Sequence, residues 1–273
     1  MRIKNNWFHT NVKEIITNPI VRTYFEILDT EYTPTTFKES CDTTIREIGE
    51  EYNNIYLAYS GGLDSQFIFN LLLEHQIPFT PVLVETPGSK VELEIALYDC
   101  KKYQIEPIII EADEEKIFEI QREIFFPKNV SAVYSSVPKY LCALEIEKTH
   151  RDYVLLSGEN PFDYDGNSIK GFHEYEFYFD LVEENFSGDF LSPILYKNST
   201  VLESWKLFDG NVINENEFKA HLYGIPFRPK YRHSYFYTQE FLNWTRSMRI
   251  INAYKAEFDD FMDIEKLEIK GLS

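Results

Sequence analysis

Between Ile55 and Ser157 the chain alternates short apolar runs with longer amphipathic stretches. IYLAY (55–59), TPVLVE (80–85), PIIIEA (107–112) and YVLLS (153–157) have the length of strands. They are continuously apolar, which predicts strands covered on both faces. Helical patterns separate them over 65–75, 116–124 and 138–148, with Pro138 in a favourable first-turn position. Another helix follows Ser89-Lys90-Val91-Glu92, a string that can form a capping box, and its stripe reads as Val91, Ile95, Tyr98 and Lys102. A further helix is predicted over 38–52. Residues 1–37 read as irregular, broken at Pro19 and Pro34. Strands alternating with helices predict an α/β fold, a parallel sheet flanked by helices.

After residue 165 the pattern changes. Residues 171–196 read as aromatic and irregular, and 199–209, 214–223 and 238–263 as helical. The expected organisation is an N-terminal extension over 1–50, a sheet domain over 51–165, and a mostly helical part over 166–273 packed on the sheet.

The first apolar run ends on Ser60-Gly61-Gly62-Leu63-Asp64-Ser65, immediately before a helix. In an open parallel sheet, ligands bind beyond the carboxyl ends of the strands, near a topological switch point. Gly61 and Gly62 lack a Cβ, so the backbone can turn sharply and approach an anion. The N–H groups of such a turn and of the first helical turn point outward, and the helix dipole adds partial positive charge. Ser60 and Ser65 can donate hydroxyl hydrogen bonds. Asp64 repels an anion directly and makes sense with Mg²⁺ between it and a phosphate. The loop has no lysine and no GxxxxGK[ST] pattern, so a cation has to come from elsewhere. An ordinary glycine turn is the competing reading.

Charge supplies a source for that cation. The formal net charge is −18, which disfavours non-specific nucleic-acid binding. From Phe218 to Lys255, however, Lys219, Arg228, Lys230, Arg232, Arg246, Arg249 and Lys255 stand against Glu240 alone. A basic island in an acidic chain suggests a local anion site, or else a chance cluster on a solvated face. The three cysteines, Cys41, Cys100 and Cys142, are far apart. They form no CxxC pair and fit a reducing, cytoplasmic setting with free thiols. Cys100 and Cys142 fall within predicted helices and are expected in the core. His75 and His150 end helices and read as partners of the helix dipole, while His173 is the most plausible base. No apolar window is long enough to span a bilayer.

The string SGGLDS in its strand–loop–helix setting resembles the signature of the PP-loop ATP pyrophosphatases. That resemblance implies a Rossmann-like, adenine nucleotide α-hydrolase-like fold and the cofactors ATP and Mg²⁺. It implies that Ser60, Gly61, Gly62, Leu63, Asp64 and Ser65 hold the pyrophosphate portion, and that the backbone near Val84 meets the adenine. Residues 137–166 are similar to the stretch of asparagine synthetases that ends in a Gly-Glu-Gly-x-Asp-Glu loop. Gly158 and Glu159 match that loop, Asn160 replaces a glycine, Phe162 stands at the aspartate, and Asp163 at the following glutamate. Asp64 and Asp163 are therefore the expected metal carboxylates, with Asp165 as a substitute for the latter. FKAHLYGIPFRPKYRH (218–233) resembles the basic C-terminal segment of the same synthetases, which implies Arg228 and Lys230 at the ATP phosphates.

The resemblance implies an AMP-forming ligase acting on a small substrate. Position 2 is Arg2, not a nucleophilic cysteine, so the amine is expected as free ammonia, a substrate amine or a partner's product. Two alternatives stand beside this one. Tyr231, Tyr235, Phe236, Tyr237 and Trp244 lie among the cations of the island and could stack on bases of an RNA substrate. Phe162 raises a nucleotide-binding module without catalysis. A Gly61→Val variant is expected to lose ATP binding with its fold largely intact.

Overall fold

The computed structural model describes residues 8–13, 22–27, 36–86, 89–125, 136–158, 163–164, 169–170, 185–194 and 215–226. The apolar runs form β3 (Ile55–Ala58), β4 (Thr80–Glu85), β5 (Ile108–Glu111) and β6 (Val154–Leu156). With β9 (Asp189–Leu191) they make a five-stranded sheet in the order β5-β4-β3-β6-β9. Every pairing in it is parallel. The helices are α1 (Phe37–Glu51), α2 (Leu63–Glu74), α3 (Lys90–Tyr103), α4 (Glu114–Ile120), α5 (Ser136–Glu147) and α6 (Glu215–Tyr223). One π-helical turn, Gln121–Phe125, extends α4.

β3, β4 and β6 bury both faces, as their continuous apolar character predicts, whereas β5 at the sheet edge does not, with Ile109 49% exposed. Leu57, Leu83, Val154 and Leu156 share a core with Ile45 and Ile48 of α1, Ile68, Leu71 and Leu72 of α2, and Ala96 and Cys100 of α3. Tyr56, Val82 and Leu155 share the second core with Ile117 and Ile120 of α4 and Leu141, Cys142 and Ile146 of α5. Helix α1 begins where the Thr36 hydroxyl accepts from the Glu39 N–H, and it buries Phe37, Cys41, Ile45 and Ile48 along one stripe.

The structure departs from the sequence pattern in four further places. Residues 1–37 are not wholly irregular, since β1 (Phe8–Lys13) and β2 (Arg22–Ile27) pair antiparallel. Residues 171–196 contain β9, whose three residues are too few to register as an apolar run. Gly188 before it is required, because a Cβ there would overlap the Tyr153 ring. The buried stripe of α3 is Glu92, Leu93, Ala96, Asp99 and Cys100, with Tyr98 66% exposed. Two buried acids made the true inner face look polar. The capping box is also absent: the Ser89 hydroxyl accepts from Thr86 N–H at 2.9 Å and makes no cap contact within α3.

β7 (Asp163–Tyr164) and β8 (Ile169–Lys170) form a short antiparallel pair after β6. The helices predicted over 199–209 and 238–263 lie outside the described residues. The one predicted over 214–223 is α6.

Candidate functional site

The sheet order places β3 at the point where the chain reverses. β4 and β5 follow on one side of it, β6 and β9 on the other. The crevice beyond the carboxyl ends of β3 and β6 is the position where open α/β sheets take ligands. Two segments meet there: the turn 59–62, leading from β3 into α2, and 157–158, leaving β6.

The turn is anchored at its start. Tyr59 extends the β3–β4 pairing by donating its N–H to Val82 O at 2.9 Å. Its ring is buried and stacks on Phe69 with centroids 4.7 Å apart. Its hydroxyl donates to Asp99 at 2.6 Å, and the Gln66 amide donates to the same oxygen at 3.3 Å. Asp99 therefore ties the strand end to the first turn of α2 from inside the protein.

Gly61 has φ of +78°, in the left-handed region. A Cβ on it would overlap the Glu92 carbonyl oxygen and lie 3.2 Å from Ala96 N. Gly61 is thus required by its backbone and by contact with α3. The expectation that Gly61→Val leaves the fold intact is overturned by this contact. Gly62 differs: its φ is −73°, and a Cβ there would meet only Ser60 Oγ, at 3.3 Å. Its open side is the one that a ligand can approach.

The Ser60 and Ser65 hydroxyls close the turn. Ser60 Oγ accepts from Gly62 N–H at 3.3 Å and lies 3.1 Å from Ser65 Oγ. The Ser65 hydroxyl donates to Gly62 O at 3.1 Å. Helix α2 opens with Gln66 N–H donating to Gly62 O at 2.9 Å, and no side chain caps it. Among the described residues, the N–H groups of Leu63, Asp64 and Ser65 meet no acceptor. Gly158 seats the second segment on this helix start, for a Cβ there would be 2.5 Å from Ser65 N and 2.9 Å from Asp64 Cβ.

Asp64 has neighbours that the sequence did not reveal. Lys219 Nζ donates to its Oδ2 at 3.0 Å, and the Tyr223 hydroxyl donates to its Oδ1 at 2.5 Å. Both come from one face of α6, four residues apart, the spacing that sets side chains side by side. Tyr223 stacks on Phe67 at 4.5 Å and 12°, and also on Phe37 at 5.8 Å. Lys219 is 7% exposed. It belongs to the basic island, which was the available signal, but nothing in the sequence singled it out from Arg228 and Lys230.

Each Asp64 carboxylate oxygen thus accepts one hydrogen bond, from an ammonium on one side and a phenol on the other. Among the described residues, no group of three His, Cys, Asp or Glu could hold a metal ion. Asp163 is placed only by its backbone, opposite Lys170 in the β7–β8 pair. Glu159, His173, Arg228 and Lys230 lie outside the described residues. Val84, next to last in β4, is half-buried and packed against the second core.

Lys139, in the first turn of α5, is a further titratable group near Asp64. Burial lowers its ammonium from 10.5 to about 7, against a partial opposing pull from Cys142 and Asp64. The cysteines are free and buried, as expected. Burial pushes the Cys100 thiol up to about 11 and the Cys142 thiol up to about 12, so neither is a ready nucleophile. His75 Nε2 pairs with Asp42 at 2.9 Å, and His150 Nδ1 with the Tyr56 hydroxyl at 2.8 Å. Both histidines have side-chain partners in addition to their places at helix ends.

No protein-family model matches the chain, and no curated protein matches it. Several solved structures resemble it at a distance. An NH3-dependent NAD synthetase from Campylobacter jejuni is 15% identical, with 86% of this chain and 96% of that one covered and a TM-score of 0.36. An NMN synthetase from Francisella tularensis is 16% identical, with 80% and 96% covered and a TM-score of 0.35. A predicted subunit of tRNA methyltransferase from Methanocaldococcus jannaschii is 12% identical, with 66% and 94% covered and a TM-score of 0.37. Likenesses this distant leave the function to be argued from the chain's own residues. Among the described residues, no helix is long and apolar enough to cross a membrane.

Proposed function

We propose that this chain binds ATP phosphates at the start of α2 and uses ATP to adenylate a small carboxylate or carbonyl compound. The substrate oxygen attacks the α-phosphorus, and the bond to the bridging oxygen breaks, releasing pyrophosphate. An amine or ammonia then attacks the activated carbon, AMP leaves with the bonding pair, and the nitrogen gives up a proton to solvent.

The observation that carries this reading is the uncapped start of α2 at the sheet's switch point, with the N–H groups of Leu63, Asp64 and Ser65 meeting no acceptor among the described residues. Buried helix starts are normally capped, so donors left this way suit an anion. Gly62 lets the anion approach, and Gly158 brings the second segment to the same point. Lys219, the described cation of the basic island, is buried against Asp64, which supports a role inside the protein over one on an RNA-binding surface.

Calorimetric titration of ATP and of pyrophosphate into wild type and Gly62→Val tests the site. Saturable binding by wild type, lost in a folded Gly62→Val protein, is the expected result. Equal affinity in the two folded proteins would remove the loop from the reading.

A further inference from the structure

The five-stranded sheet ends on β9 at one edge and on β5 at the other. β9 buries Phe190 and Leu191, whereas β5 leaves Ile109 49% exposed. At the end of β5, Ala112 N–H donates to Glu85 O at 2.9 Å. Backbone groups along a strand turn to its two sides alternately. Ile108 and Ile110 therefore address β4, while Ile109 and Glu111 turn their N–H and C=O groups away from the sheet. Pro107 belongs to the outward set and has no N–H to leave unpaired, which suits an edge. Among the described residues, no strand pairs with this side of β5. An edge of this kind is a template for another strand.

We infer that β5 is a self-association edge, on which a second copy of this chain pairs antiparallel about a twofold axis at Ile109. Ile109 then exchanges both of its hydrogen bonds with the same residue of the second copy, and Glu111 N–H donates to the Pro107 carbonyl across the axis. The side chains agree with this register. Ile108 and Ile110 pack against the second core, so Ile109 and Glu111 lie on the opposite face of the strand, the one that carries α3. On that face Ile109 meets its own counterpart as an apolar pair. Charge selects a second copy as the occupant. The carboxyl end of the edge carries Glu85, Glu111 and Asp113, all exposed. α3 leads into the amino end, with exposed Lys101 and Lys102 in its last turn against Glu106. An antiparallel twofold brings the acidic end of each copy to the lysine end of the other, so the surface is complementary to itself. β5 has only four residues, which makes the association weak, with a dissociation constant of about 1–100 μM.

Sedimentation velocity on wild type, Ile109→Lys and Glu111→Lys, from about 1 to about 200 μM, tests the inference, with circular dichroism to confirm folding. Wild type is expected to pass from monomer to dimer across that range, and the amide hydrogens of Ile109 and Glu111 to exchange more slowly as it does. Ile109→Lys removes the apolar pair and sets two ammonium groups opposite each other, which should weaken the dimer about 10-fold. Glu111→Lys turns the attraction to the lysine end into repulsion. Its expected loss of about 3- to 10-fold serves if Ile109→Lys does not fold. Wild type that stays monomeric throughout overturns the inference and leaves the edge to a strand of another protein. So does wild-type association in a folded Ile109→Lys or Glu111→Lys protein, which would place the dimer on a different surface.

Discussion

Adjacent glycines in one turn are expected to fail in opposite ways. Replacing Gly61 by alanine forces a side chain onto a φ of +78°, at a cost of about 1–2 kcal/mol for an L-residue in the left-handed region. The new methyl also overlaps the Glu92 carbonyl oxygen and stands 3.2 Å from Ala96 N, both in the α3 backbone. Moving α3 off the loop adds about 1–3 kcal/mol, the usual cost of overpacking. The sum is about 2–5 kcal/mol. At a slope of about 3 kcal/mol/M, the urea midpoint falls by about 0.7–1.7 M. Gly62→Ala meets only Ser60 Oγ, at 3.3 Å, and keeps an ordinary φ of −73°. Its stability loss is about 0.5–1 kcal/mol, from a poorer cap residue, while its ATP affinity falls because the methyl stands on the ligand's side. Urea denaturation followed by fluorescence, paired with ATP titration of each variant, separates the two. Equal midpoints for Gly61→Ala and wild type would refute the packing argument, and a larger stability loss for Gly62→Ala than for Gly61→Ala would reverse it.

Gly158→Ala puts a methyl 2.5 Å from Ser65 N, one of the three donors. Stability should fall by about 1–3 kcal/mol, and ATP affinity with it, both read in the same assays. Unchanged values would show that the two segments can separate freely. Lys139→Met should stabilise the protein most at low pH. The folded ammonium titrates at about 7 and the unfolded one at 10.5, so the cost of burying its charge is full below pH 7. It is relieved as pH rises from 7 towards 10.5, where the unfolded chain still binds the proton and the folded one does not. Melting temperatures of wild type and Lys139→Met should therefore converge across that window, and a constant gap would place Lys139 in water.

A continuous apolar run announces a strand, and β3 to β6 fall where those runs lie, even though β5 at the sheet edge leaves Ile109 exposed. The tight turn between β3 and α2 was legible too, since a glycine pair between a buried strand and a helix leaves few alternatives. Helix α3 misled because Glu92 and Asp99 are buried, Asp99 beneath the turn as a hydrogen-bond acceptor, while Tyr98 lies outside. Periodicity assigns such acids to solvent. β9 escaped notice because its partner, β6, supplies the pairing that its own three residues do not signal. Lys219 and Tyr223 could not be read at all: the contact joins positions 155 and 159 residues apart, and only the packing of α6 on α2 brings them to Asp64.

The ring stack of Phe37, Phe67 and Tyr223 carries a consequence for biosynthesis. Translation proceeds at about 5–20 residues per second, so Asp64 leaves the ribosome about 8–30 s before the lysine 155 positions downstream that will face it. During that interval the nascent sheet has its turn but not its counter-charge. Asp64 therefore meets Lys219 and Tyr223 only when α6 docks, after most of the fold exists.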